Sequence, residues 1–224
     1  MDIREKMKLA PEACGVYLMK DKLGNIIYIG KAKSLRKRLS SYLVHYYTVR
    51  NDIKALRGGQ SAKTSALMSC LCDIEFRICP TESLALILEA SLVRKHKPKY
   101  NVSLRDDKSF PFVKITDEEF PAVFTTRKRL HDGARYFGPY TNAKLLKGAL
   151  KIIRRNFPYR SCKKLPRKAC MYYSVELSPA PCIGRISRAA YAEIIRNIIL
   201  ILEGSTSQLV RELSEKMFLK AKEQ

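Results

Sequence analysis

Two triplets, Gly15-Val16-Tyr17 and Tyr28-Ile29-Gly30, decide how this chain is read. Each sets a tyrosine on a short apolar run beside a glycine, and Gly24-Asn25 lies between them where a turn belongs. Val16 to Met19 and Ile26 to Ile29 therefore read as the strands of a hairpin. A four-residue loop, Asp21 to Gly24, closed by Gly24 in the left-handed conformation, pairs Lys20 with Asn25 and hence Tyr17 with Tyr28. Cross-strand partners share a face, so this register puts both phenols on one side; a five-residue loop separates them. Working outward, Lys31, Lys33, Arg36, Lys37 and Arg38 follow, with no acid before Asp52. Ser34 to Leu43 reads as a helix: Leu35, Leu39 and Leu43 make a core stripe, and Arg38 and Tyr42 share the neighbouring face. Buried tyrosines are common core residues, but these two stand beside cations. Lys31 and Arg38 are expected to stabilise a phenolate and lower its pKa from about 10. Such a phenol could take a proton from water attacking a phosphodiester, with Arg38 neutralising the phosphoryl oxygens.

The rest of the first hundred residues supplies a carboxylate. Residues 45 to 70 suggest helical pieces interrupted at Gly58-Gly59, and Cys72 to Cys79 a strand with Ile74, Phe76 and Ile78 alternating. Pro80-Thr81-Glu82 starts a helix, capped by Thr81, that runs to about Lys97 and is stopped by Pro98. Inside it Glu89 has Ala85, Leu86, Leu92 and Val93 as helical neighbours, all apolar. A carboxylate so desolvated needs a cation or a donor. One carboxylate suits Mg²⁺, which keeps most of its waters and would act on the leaving oxygen.

Beyond about Val102 the texture changes. Phe112 to Ile115 and Ala122 to Thr125 read as strands, Tyr136 to Tyr140 as an aromatic turn, and Asn142 to Arg155 as a helix. A cysteine-containing loop, 160–186, follows. A helix capped by Ser187 ends at Gly204, and a last helix, Ser207 to Lys222, completes a helical hairpin over 187–222. The fold class is α/β (α+β): a small mixed sheet flanked by helices over 1–101, then a basic α+β linker domain over 102–224.

Charge narrows the partners. Against 21 acidic residues stand 43 basic ones, a formal net charge of +22. Such an excess points to a polyanion, nucleic acid before membrane. From Gly133 to Val175 there are eleven Lys or Arg and no Asp or Glu. The clusters at 31–38, 94–99 and 144–168 read as a DNA track that includes Lys33, Arg36, Lys37, Lys97, Lys99, Arg154, Arg155, Lys163 and Lys164; its contacts would be sequence-independent. The start, Met1 to Ala10, is mostly charged and unlike a signal peptide, and Ile194 to Leu202 is too short to span a bilayer, which points to the cytoplasm. Seven cysteines, an odd number, argue for free thiols or a metal site over a disulfide framework. Cys162, Cys170 and Cys182 lie in a basic loop where thiolates could hold a metal or an iron–sulfur cluster, although their spacing matches no compact zinc pattern. Cys14, Cys70, Cys72 and Cys79 read as core or incidental thiols. His45, His96 and His131 are scattered without metal spacing.

In order, Gly15-Val16-Tyr17, Tyr28-Ile29-Gly30-Lys31, Arg38, Tyr42, Glu89 and Lys99-Tyr100-Asn101 resemble the GIY-YIG nuclease family. Together with Tyr28 to Lys33, Pro98 to Asn101 and Tyr136 to Tyr140, they resemble more closely the N-terminal part of the UvrC-type bacterial excinucleases. The likeness runs over nearly all of the chain. It implies an endonuclease of nucleotide excision repair that nicks damaged double-stranded DNA on the 3′ side of the lesion with one Mg²⁺ or Mn²⁺. By that resemblance Tyr28 is the general base, with Tyr17 the other candidate. Tyr17, Lys31, Arg38 and Tyr42 organise phosphate and water, Glu89 is the metal ligand, and Asn101 closes the site. The resemblance also implies a [4Fe–4S] cluster on four cysteines, of which the third position here is Ser178, leaving an incomplete set. Proteins of that type continue into a segment that binds the UvrB helicase, a second nuclease domain and paired helix-hairpin-helix motifs, none of which fits here. The chain is thus an N-terminal piece of a longer subunit or a short relative that makes only the 3′ nick. Two other readings stand beside it: a catalytically weak DNA-binding module with a redox cluster, and a mobile-element endonuclease, for which no sequence-reading module is visible.

Overall fold

A computed structural model of the chain describes residues 2–50, 62–101 and 110–205. The chain divides into two compact units, Met1–Arg105 and Asp106–Gln224. The interruption expected at Gly58-Gly59 and the helix expected over Ser207 to Lys222 lie outside the described residues.

The first unit runs α1 (Ile3–Lys8), β1 (Gly15–Lys20), β2 (Ile26–Ala32), α2 (Leu35–Arg50), α3 (Ala62–Cys70), β3 (Asp73–Ile78) and α4 (Glu82–His96). Its sheet has the order β2-β1-β3 and is antiparallel throughout, where a mixed sheet was expected. Each face of the central strand meets a different layer. Tyr17 and Met19 join Leu35, Leu39, Tyr42 and Leu43 of α2, Met7 of α1 and Met68 of α3. Val16 and Leu18 join Ile29, Ala85 and Leu92 on the α4 side. Burying each leucine of the α2 stripe contributes about 1.5–3 kcal/mol. The short helix α1, capped by Asp2, was missed because its run is mostly charged, with only Ile3 and Met7 buried.

The hairpin departs from the expected register. Tyr17 pairs with Gly30, and Met19 with Tyr28. The Asp21 carboxylate accepts from the N–H groups of Leu23 and Asn25, each at 2.9 Å, and fixes a five-residue loop that pairs Lys20 with Ile26. One such loop alone would put the phenols on opposite faces. A bulge between Met19 and Lys20 adds Ile27 to β2 and restores the parity. Ile27 and Tyr28 accordingly both pack with the α2 side, and the Tyr17 and Tyr28 ring centroids lie 6.0 Å apart.

Helix α4 starts as expected, the Thr81 hydroxyl accepting from Leu84 N at 3.2 Å, and ends with Lys97 in the left-handed region. Of the alternating residues on β3, an edge strand, Ile78 is instead exposed.

The second unit holds an antiparallel sheet of order β5-β4-β6, formed by β4 (Phe112–Ile115), β5 (Val123–Thr126) and β6 (Arg135–Phe137). Helix α5 (Ala143–Asn156), capped by Asn142, buries Leu146, Ala149, Leu150 and Ile153. A short α6 (Met171–Ser174) and a 3₁₀ turn at Pro181–Ile183 fall in the cysteine loop. Helix α7 (Arg188–Glu203) is capped by Ser187 and closed by Gly204, as expected. Its Tyr191 hydroxyl donates to Pro121 O at 2.7 Å and accepts from Arg160 N at 3.1 Å, tying the helix to the sheet's approach strand.

Candidate active site

Gly30 makes room for the site. A Cβ there would lie 2.5 Å from the Tyr17 hydroxyl and 2.6 Å from its ring, so the phenol lies across the glycine. Tyr17 is 1% exposed. Its hydroxyl accepts from Arg38 Nε at 3.5 Å and donates to Tyr42 Oη at 3.5 Å. Arg38 Nη2 donates to the same Tyr42 hydroxyl at 3.2 Å. The one-turn spacing of Arg38 and Tyr42 on α2 brings both onto the phenol of β1. The Arg38 proton is held more tightly than usual, chiefly by the hydrogen bond to Tyr17.

Burial reverses the expected phenol shift. It pushes Tyr17 well above its ordinary value, and neighbouring Tyr28 and Tyr42 add to the rise against the opposing pull of Arg38. Tyr28 is pushed up to about 12, again chiefly by burial, and the Glu89 charge is among the further causes. Lys31 is not among the main causes for either phenol, and its ammonium is held by Glu82 at 2.9 Å. Glu82, at the first turn of α4, was legible in the sequence only as a helix-start residue.

The outer edge of β2 is closed residue by residue. Ile27 O accepts from Tyr100 N at 2.9 Å. The Asn101 side chain accepts from Ile29 N and donates to Ile29 O, both at 2.8 Å, imitating a neighbouring strand. Lys31 N donates to Glu89 Oε1 at 2.9 Å. So Glu89 reaches from α4 to the sheet edge, and the donor its desolvation calls for is a backbone N–H. Burial raises the Glu89 pKa, partly offset by that hydrogen bond and by the Lys31 charge. Its second oxygen takes no hydrogen bond from the described residues. A carboxylate fixed through one oxygen and open at the other fits a single hydrated divalent cation.

Tyr17, Tyr28, Arg38, Tyr42 and Glu89 are thus brought together, while Asn101 holds the strand that carries two of their neighbours. Lys33, Lys37, Lys97, Lys99, Arg155, Lys163 and Lys164 are exposed. Arg36 is exposed but engaged, with Ala10 O at 2.9 Å and Glu12 at 3.7 Å. Arg154 is no open surface cation: it is half-buried between Tyr159 and Tyr172.

The cysteine cluster is corrected. Among the described residues no three of His, Cys, Asp and Glu gather as a metal group. Cys170 sits at the start of α6, and Cys182 in the 3₁₀ turn points its thiol at Lys168 O, 3.7 Å away. Ser178 is buried and its hydroxyl accepts from Ala180 N at 3.4 Å, a turn contact that needs no metal. These residues do not fit an iron–sulfur cluster.

Residues 13–102 match the family described as the UvrC-like GIY-YIG domain, and residues 110–201 the middle domain of UvrC/Cho excinucleases. The UvrABC system protein C of Moorella thermoacetica is 43% identical over 222 residues, covering 97% of this chain and 34% of that protein. The UvrABC system protein C of Caldanaerobacter subterraneus is 41% identical, covering 97% of this chain and 34% of that protein. The chain therefore spans about a third of the length of the curated relatives it matches. The crystal structure of the GIY-YIG N-terminal endonuclease domain of UvrC from Thermotoga maritima, bound to magnesium, is 42% identical, covering 45% of this chain and 96% of that one with a TM-score of 0.36.

Proposed function

The chain belongs to the UvrC family, and from that premise we propose that it is a metal-dependent DNA endonuclease making one incision 3′ to a lesion in duplex DNA. The observation that carries the reading is the meeting of three phenols and a guanidinium on one sheet face with a carboxylate that reaches the edge of that sheet. In this reading Arg38, its charge fixed by Tyr17 and Tyr42, receives the charge developing on the scissile phosphoryl group. Tyr17 and Tyr42 hold that guanidinium and the attacking water in register. A divalent cation at Glu89, Mg²⁺ or Mn²⁺, supplies Lewis-acid stabilisation of the leaving oxygen and cancels the carboxylate charge. With that charge offset, Tyr28 would lose one cause of its raised pKa, and its phenolate, the form able to take a proton, would be reached at lower pH. Tyr28 is also the less enclosed phenol, half-buried where Tyr17 is 1% exposed, which favours it as the base. Lys31 serves through its backbone, orienting Glu89, and Glu82 keeps its ammonium aside until DNA arrives. Asn101 acts as a positioning residue.

The exposed cations of both units carry phosphate contacts, which suits an enzyme that must cut wherever a lesion lies. The partners are damaged DNA and, by the family resemblance, the UvrB helicase; the setting is the cytoplasm. The test is incision of an end-labelled, lesion-containing duplex with Mg²⁺, with and without UvrB. The expected product is one cut 3′ to the lesion, absent in Glu89→Ala. Full activity of Glu89→Ala would contradict the metal assignment.

A further inference from the structure

We propose that the second unit carries a binding pocket for a single unstacked nucleotide, walled by α5, β5 and the cysteine loop. A cavity of about 480 Å³ opens there, within the usual size of small-molecule sites. Lys147, Lys151 and Arg154 line it, three to four residues apart and so on one face of α5. No Asp or Glu lines it, and none of the three cations has an ion-pair partner among the described residues. The remaining wall is apolar and aromatic, with Val123, Leu150 and Leu177 beside the Tyr172 ring.

Arg154 is what makes this a built pocket and not a charged face. Its guanidinium carbon stands 4.2 Å from the centre of the Tyr159 ring and 4.7 Å from that of Tyr172. Tyr159 is itself fixed, 3% exposed with its hydroxyl donating to Leu150 O at 3.4 Å. The Arg154 Nε–H is buried and has no acceptor. A guanidinium held between two rings is a pre-organised charged fork that suits an anionic acceptor. The outer ring, Tyr172, is 42% exposed. Phosphate on the lysines and Arg154, with a base against Tyr172 and Leu177, satisfies both halves of the wall. Duplex DNA presents base edges to a protein surface but keeps the base faces stacked, so an aromatic ring in the apolar half selects a base that has left the stack. This rests on the nuclease reading only for the source of the nucleotide, a strand opened near a lesion.

The test is fluorescence anisotropy of a short fluorescein-labelled oligothymidylate with the full chain, competed by thymidine 5′-monophosphate or inorganic phosphate. Tyr172→Ala should weaken oligonucleotide binding about tenfold, the worth of one base–aromatic stack, and change binding of undamaged duplex less than twofold. Tyr172→Phe should restore it. Lys151→Ala, on an exposed helical position, should weaken the oligonucleotide and the monophosphate alike. Thymidine monophosphate should compete at concentrations where inorganic phosphate does not. Unchanged oligonucleotide affinity in Tyr172→Ala, or competition by phosphate equal to that by the monophosphate, would overturn the proposal. Glu89→Gln should bind the oligonucleotide as wild type does. A chain that binds it but never nicks DNA would therefore refute the nuclease reading and leave this one standing.

Discussion

At Gly30 the space a side chain would need is taken by Tyr17, which is too buried to step aside. Replacing Gly30 by alanine should cost about 1–3 kcal/mol in urea unfolding, the usual cost of overpacking, and should displace the phenol from Arg38. Glu89 poses the opposite problem, a charge in a desolvated place. Its folded pKa lies above the ordinary glutamate value of 4.5, so the folded state holds the proton more tightly than the unfolded one. Stability is therefore lost as pH rises through the window between those two values. Glu89→Gln keeps an acceptor for Lys31 N and removes the charge. It should be at least as stable as wild type at neutral pH, with the difference shrinking below pH 4.5, while metal binding is lost. A melting series over pH with calorimetric Mn²⁺ titration would check both; a less stable Glu89→Gln would show that its role is packing. Tyr28, pushed up to about 12, is protonated at neutral pH. Nicking at saturating Mg²⁺ should then climb with pH through the mildly alkaline range, and a flat profile would remove a phenol from the base role.

Among the elements, β2 matters most, because its outer edge is closed by three separate residues, Tyr100, Asn101 and Glu89, instead of a fourth strand. Asn101→Ala removes two hydrogen bonds to Ile29 and should cost about 2 kcal/mol. Asn101→Asp should do worse, since a carboxylate oxygen would face Ile29 O; equal stability of the two variants would count against the clasp. Three helix ends were legible in the sequence, as Thr81, Ser187 and Gly204 each sit where capping chemistry puts them, whereas α2 runs to Arg50, past the end expected at Leu43. The shared face of the two tyrosines was legible too, but through the wrong register. Turn residues fix where a loop closes, whereas a bulge answers to packing of Ile27 into the core on the α2 side, which local pattern does not contain. The same holds for Asn101 and Lys31. Their chemistry is spent on backbone groups and on Glu82, partners distant in sequence that residue type alone does not reveal.

Over the whole molecule, a net charge of +22 decides the class of ligand before any site does. The grouping of Arg38, Tyr42 and Glu89 with the tyrosines was legible because helical spacing and an apolar setting marked each of them. The cysteines misled, because three thiols in one loop and a family resemblance do not bring the thiols together in space: among the described residues they form no metal group. Duplex affinity should fall steeply with salt. If Lys33, Lys37, Lys99, Arg155, Lys163 and Lys164 each meet a phosphate, the log–log slope is about −5. The double variant Lys163→Ala, Lys164→Ala should flatten it by about 2; no change in slope would remove that loop from the track. That the phenol–carboxylate site cuts DNA is tested most directly by single-turnover nicking of duplex with Mg²⁺, comparing wild type, Tyr28→Phe and Glu89→Gln at equal DNA occupancy measured in the same samples. Both substitutions should abolish the nick at unchanged binding; wild-type rates in either would contradict the site described here.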